Sequence, residues 1–125
     1  MPKRVLIVED DENMARFIAD ILKQSELETF SVVDGVLAIK EVRQLKPDLI
    51  ILDLMLPGGG GLSVLSRLKL SQHTDKIPVM VVTGTLDESC KQKALALGVA
   101  SYFQKPFPVE QFSLEARRIL GVSPS

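Results

Sequence analysis

Four short apolar runs in this sequence each end in a residue able to do chemistry. Val5-Leu6-Ile7-Val8 runs into Glu9-Asp10-Asp11, Leu49-Ile50-Ile51-Leu52 into Asp53, and Val79-Met80-Val81-Val82 into Thr83. Ser101-Tyr102-Phe103-Gln104 runs into Lys105-Pro106. Carboxylates crowded at one rim repel each other, and either raised pKa values or a bound cation must relieve the repulsion. Oxygen donors without histidine or cysteine nearby favour a hard cation, and Glu9, Asp10 and Asp53 suit Mg²⁺ held with water and substrate phosphate. His73 lies in the polar stretch Ser71-Gln72-His73-Thr74-Asp75 and reads as an exposed loop histidine, not a ligand.

The first three of these runs are β-branched-rich and apolar throughout, as expected of strands covered on both faces, and the short run Ser101-Tyr102-Phe103-Gln104 fits a last strand. Between them come helix-period stretches in which Met14, Phe17, Ile18, Ile21 and Leu22 share a face, then Ala38, Val42 and Leu45, then Leu62, Leu65 and Leu68. A further strand fits Glu28 to Val32. Cys90, Ala94 and Leu97 mark a fourth helix stopped by Gly98, and Phe112, Ala116 and Ile119 mark a fifth. Five β-α units with right-handed crossovers predict an α/β, three-layer, doubly wound parallel sheet of five strands with helices on both faces. Ligands of such sheets bind beyond the carboxyl ends of the strands, where the chemistry-bearing residues collect.

At 125 residues, 46% of them hydrophobic, the chain has the size of one domain, expected over 1-121, with 122-125 as a tail or the start of a linker. Fifteen basic and 16 acidic residues leave a formal charge of -1, which gives no general pull toward nucleic acid or an acidic membrane. The single cysteine, Cys90, excludes an intrachain disulfide and suits a reducing cytoplasm. The apolar run after Met1-Pro2-Lys3-Arg4 is too short for a signal-peptide core, and no run approaches the ~20 residues of a membrane span.

With Val8-Glu9-Asp10-Asp11, the stretch from Pro47 through Asp53 to Pro57, Val82-Thr83-Gly84 and Lys105-Pro106-Phe107 in this order, the sequence resembles the response regulator receiver, or CheY-like, family from about Lys3 to Leu120. The resemblance implies a flavodoxin-like strand order of 2-1-3-4-5. It implies that Asp53 accepts a phosphoryl group from a histidine kinase or histidine phosphotransfer protein, in a Mg²⁺-dependent reaction that is the domain's only catalysis. Asp10 and Asp53 would hold the metal with the backbone carbonyl of Met55, and Glu9 through water or as a further ligand. Lys105 would pair with a phosphoryl oxygen, after a Lys105-Pro106 bond expected to be cis. Thr83 would donate its hydroxyl to the phosphoryl group; its alternative role is to cap the next helix, for which Thr85 or Asp87 is better placed. Tyr102 stands where the family carries its aromatic switch residue, and the alternative there is ordinary packing. Asp11 either supports the metal site or caps the first helix.

Phosphorylation would then reshape the face made by the fourth helix, fifth strand and fifth helix, changing affinity for a downstream effector or a second copy of the chain. The loop Pro57-Gly58-Gly59-Gly60-Gly61 has glycine at 60 where receivers often carry aspartate, and its four glycines predict mobility beside the acceptor. Two rival readings use the same layers. A flavin binder would need a phosphate loop where Glu9-Asp10-Asp11 stands, and a non-phosphorylated interaction domain would have no use for the full acid, threonine and lysine set.

Overall fold

The computed structural model describes residues 1-57 and 60-124. Its elements run β1 (Lys3–Val8), α1 (Glu12–Ile21), β2 (Leu27–Val32), α2 (Gly35–Leu45), β3 (Leu49–Leu52), α3 (Gly60–Leu70), β4 (Val79–Thr83), α4 (Glu88–Ala96), β5 (Ser101–Gln104) and α5 (Val109–Leu120). The five strands form one sheet in the order β2-β1-β3-β4-β5, every pair parallel. Strand and helix alternate as the sequence predicts, and the inferred fifth strand has the predicted bounds.

Side chains of a strand alternate between its two faces, and the central strands split accordingly into two cores. Leu6, Val8, Ile50, Leu52, Val79 and Val81 face α2, α3 and α4, where Ala38, Val42, Leu65, Leu68 and Ala94 meet them. Val5, Ile7, Leu49, Ile51, Met80 and Val82 face α1 and α5, packing against Ile18, Leu22, Phe112 and Ala116. This two-sided burial is why β1, β3 and β4 contain no alternating polar residues.

Local signals fix the helix ends. Asp11 caps α1, its carboxylate accepting from the backbone N–H groups of Asn13 and Met14, and Asp87 caps α4 through Ser89 and Cys90. Asp11 therefore takes the capping role. Gly98 follows α4 with φ of 84°, the left-handed conformation expected of it. Phe17 departs from the sequence reading. It is 46% exposed, because the sheet covers only part of the α1 stripe, and its ring lies 6.2 Å from that of Phe107. The tail turns back, with the N–H of Val122 donating to the Arg117 carbonyl and Gln24 Nε2 to the Ser123 carbonyl. No helix among the described residues is long and apolar enough to cross a membrane.

Candidate functional site

Parallel pairing brings the carboxyl ends of β1, β3, β4 and β5 to one edge and ties the residues that follow to one another. The Asp53 N–H donates to the Val8 carbonyl at 3.0 Å, and the Glu9 N–H to the Val32 carbonyl at 3.1 Å. The Lys105 N–H donates to the Thr83 carbonyl at 2.8 Å. Each functional residue thus continues the ladder by one bond, and its backbone is held by the sheet itself.

The side chains converge. Lys105 Nζ donates to Glu9 Oε1 at 2.6 Å and to Asp53 Oδ2 at 3.0 Å, bridging carboxylates that are 3% and 5% exposed. Asp53 Oδ1 accepts from the Met55 N–H at 2.9 Å, and Glu9 Oε2 from the Asp11 N–H at 3.2 Å. All four oxygens of the two buried acids are therefore oriented by protein donors. Thr83 is wholly buried, and its hydroxyl oxygen accepts from the Thr85 N–H at 3.4 Å, so its proton can still be given to another acceptor. The cap of α4 is Asp87, as its position in the sequence suggested.

Burial pushes the Glu9 carboxyl up to about 7, with nearby Asp53 adding to the rise against the hydrogen bonds from Lys105 and Asp11. Burial acts on Lys105 in the opposite sense to its partners: it lowers the ammonium's pKa, but hydrogen bonds to Glu9 and Asp53 and their charges outweigh it and the net shift is upward. One ammonium does not neutralise the edge. Glu9, Asp10 and Asp53 each offer a carboxylate oxygen, and the three oxygens lie within 4.8 Å of one another. Asp10 is exposed, which opens the cluster to solvent on one side. A small, oxygen-only, solvent-accessible donor set fits a hard divalent cation that retains waters.

Residues 5-117 match the sequence profile of the response regulator receiver domain. The chain belongs to the response regulator receiver family. It is 37% identical over 107 residues to hybrid signal transduction histidine kinase D of Dictyostelium discoideum, covering 86% of this chain and 7% of that protein. It is 30% identical over 120 residues to the phosphate regulon transcriptional regulatory protein PhoB of Escherichia coli, covering 96% of this chain and 52% of that protein. The receiver thus spans about half the length of PhoB. Among solved structures, the phosphorylated cyanobacterial phytochrome response regulator RcpA is 30% identical, with a TM-score of 0.81 over 97% of this chain and 91% of that one. The Mn(2+)-bound form of another response regulator is 29% identical, with a TM-score of 0.80 over 96% and 91%. The chain is a phosphorelay receiver, a signalling domain of CheY-like fold, and the flavin-binding reading is set aside.

Of the residues singled out in the sequence, Glu9, Asp10, Asp53 and Lys105 form one contact cluster, and Thr83 joins it through the backbone of Lys105. The Lys105-Pro106 bond is cis, as expected. Met55 is bound to Asp53 through its N–H, while its side chain is 57% exposed. Tyr102 is half-buried on β5, with Lys91 Nζ 5.5 Å from its ring centre. Gly58 and Gly59, half of the loop expected to be mobile, lie outside the described residues. Two features escaped the sequence reading. One is the direct Glu9–Lys105 contact. The other is Gly61, whose glycine is required by space beside the Asp53 backbone.

Replacing Lys105 by methionine leaves Glu9 and Asp53 buried without their shared ammonium. Removing one partner of a buried charged cluster costs about 3 kcal/mol or more. Lys105→Met is expected to lose about that much stability in urea unfolding without divalent cations, and to regain part of it when Mg²⁺ is added. An unchanged unfolding midpoint would show that the bridge carries no stability.

Proposed function

We propose that Asp53 is the phosphoacceptor of this receiver, with Mg²⁺ as cofactor at Glu9, Asp10, Asp53 and the backbone carbonyl of Met55. The observation that carries the proposal is the Lys105 ammonium bridging two buried carboxylates beside a third, exposed one. A nucleophilic carboxylate must be held still and its like-charged reaction partner tolerated, and phosphoryl transfer depends chiefly on such positioning and charge neutralisation.

The Met55 N–H and Lys105 Nζ hold opposite oxygens of Asp53, so the carboxylate cannot swing away from an incoming phosphoryl group. An Asp53 oxygen forms the new O–P bond as the bond from phosphorus to the donor breaks. With a phosphohistidine donor the pair of electrons returns to the imidazole nitrogen, which is then protonated. Mg²⁺, when bound, offsets the negative charge of the acids and of the phosphoryl oxygens. Lys105 then exchanges its carboxylate contact on Asp53 for a phosphoryl oxygen, and the Thr83 hydroxyl donates to another.

The donor is a sensor histidine kinase or a histidine phosphotransfer protein, met in the cytoplasm. Movement of Thr83 toward the phosphoryl group alters the packing around Tyr102 and so the α4-β5-α5 face, which binds an effector or a second receiver. Residues 1-121 form the signalling unit. The transcriptional regulatory role in PhoB's name makes transcriptional control one output for a longer protein carrying this domain.

Incubation with acetyl phosphate and Mg²⁺, read by intact mass, is expected to add one phosphoryl group, and a chelator to prevent it. Equal labelling with and without the chelator would remove the metal from the mechanism. No labelling under either condition would remove the acceptor role.

A further inference from the structure

At the opposite end of the sheet from Asp53, a cavity of about 820 Å³ opens between the C-terminus of α2, the turn into β3 and the α3–β4 loop. Its apolar wall is Val42, Pro47 and Ile77, and its polar wall is Arg43, Lys46 and His73, with Thr74. No carboxylate lines it. The volume is that of a small-molecule site, and an apolar floor with a few convergent polar groups is the usual composition of one.

Basic residues near helix C-termini often serve the helix dipole and its last carbonyls. In this region Lys69, in the last turn of α3, instead ties down the α3–β4 loop, its Nζ donating to the carbonyls of Asp75 and Ile77. Arg43 and Lys46 differ. Among the described residues neither side chain, nor the His73 ring, has a hydrogen bond or an ion pair, so their donors are available to a ligand. Thr74 is already used, its hydroxyl donating to the Leu68 carbonyl at 2.6 Å, and this bond fixes the loop that presents His73.

A second observation concerns the backbone. Lys46 ends α2 in the left-handed conformation, with φ 51° and ψ 61°, and it is the only non-glycine residue with positive φ among those described. The other three such positions, 60, 98 and 121, are glycine. A side chain there adds backbone strain that glycine would avoid. A strained lysine on the rim of an acid-free cavity points to use of its ammonium.

We propose that this cavity binds a phosphate monoester with a compact apolar body, its dianion held by Arg43 and Lys46 with help from His73, and its body against the part-exposed Ile77, behind which the buried Val42 and Pro47 close the floor. Two exposed cations on the rim of one cavity suit a phosphate dianion better than a carboxylate, and Arg43 supplies the forked donor geometry that phosphate prefers. The site is separate from the acceptor, and its occupancy does not depend on phosphorylation chemistry.

The test is a titration of the full chain with phenyl phosphate, without divalent cations, followed by amide and His73 ring NMR shifts. Saturable shifts are expected at 42-47, 73, 74 and 77. Inorganic phosphate and benzoate are each expected to bind at least about tenfold more weakly, lacking the body or the second charge. Lys46→Gly removes the ammonium and relieves the backbone together, so this variant should melt no lower than the parent while losing binding by about tenfold. Arg43→Ala should show the same loss. Shifts centred on Asp53 and Lys105, shifts that never saturate, benzoate binding as tightly, or full binding by Lys46→Gly would each overturn the proposal.

Discussion

Asp53→Ala is expected to take up no phosphoryl group from acetyl phosphate and Mg²⁺ while unfolding at the same urea concentration as the parent or a higher one. The first half follows from chemistry. Asp53, like Glu9, has both oxygens held by donors from two different strand ends, in its case the Met55 N–H after β3 and Lys105 Nζ after β5. Glu9 faces the same lysine and is as deeply buried as Asp53, but its carboxyl is shifted up to about 7, so it is in part protonated near neutrality. Asp10 is exposed and has none of this alignment. Neither neighbour can substitute as nucleophile, and labelling should fall by orders of magnitude.

The second half follows from electrostatics. The fold keeps Asp53 buried beside Glu9, and its charge helps push the Glu9 carboxyl up. Alanine removes that repulsion and leaves Glu9 and Lys105 as a neutral pair at 2.6 Å. The gain is of order 1 kcal/mol, set against a small loss of packing. Retention of a phosphate adduct on the variant would show that another residue accepts the group. A large loss of stability would show that Asp53 serves the fold more than the chemistry.

The sequence carries the placement of the acids well because placement depends on topology. A strand buried on both faces must be apolar throughout, so the runs ending at Val8, Leu52 and Val82 announce themselves, and the residues after them share an edge once the crossovers are right-handed. Distances within that edge depend on side-chain rotamers and on how far each strand is staggered, which spacing does not encode. Lys105 therefore reads in the sequence as a free charge awaiting phosphate, while in the folded chain it already bridges Glu9 and Asp53. Asp11 shows the converse. Its two readings, cap and metal support, are equal in sequence, and only the hydrogen bonds from Asn13 and Met14 choose between them. Phe17 fails for a third reason: helical period identifies an apolar stripe but not how much of its width the sheet will cover.

Gly61→Ala is expected to lower stability by about 1 to 3 kcal/mol and to slow labelling of Asp53 by up to about a hundredfold. A Cβ built on Gly61 would sit 2.3 Å from the Asp53 carbonyl oxygen and 2.5 Å from Leu54 Cα, both backbone atoms that cannot rotate aside. The Gly61 N–H also donates to the Leu54 carbonyl at 2.9 Å, so the start of α3 cannot retreat without breaking that bond. Alanine favours a helix over glycine by roughly 1 kcal/mol, and the overlap must exceed this for the sign to hold. Moving the Asp53–Leu54 peptide shifts the carboxylate relative to Lys105 and Asp10, which is why the chemistry should suffer along with the fold. Gly60 supplies the control. It has φ of 77°, and its added Cβ would meet nothing closer than the Leu54 carbonyl oxygen at 3.8 Å, so glycine is favoured there by dihedral angle and not by space. Aspartate tolerates that conformation better than most residues, so Gly60→Asp should cost about 1 kcal/mol or less and leave labelling near the parent rate. If urea unfolding and intact-mass kinetics find Gly61→Ala as stable and as fast as Gly60→Asp, close approach of α3 does not position the acceptor.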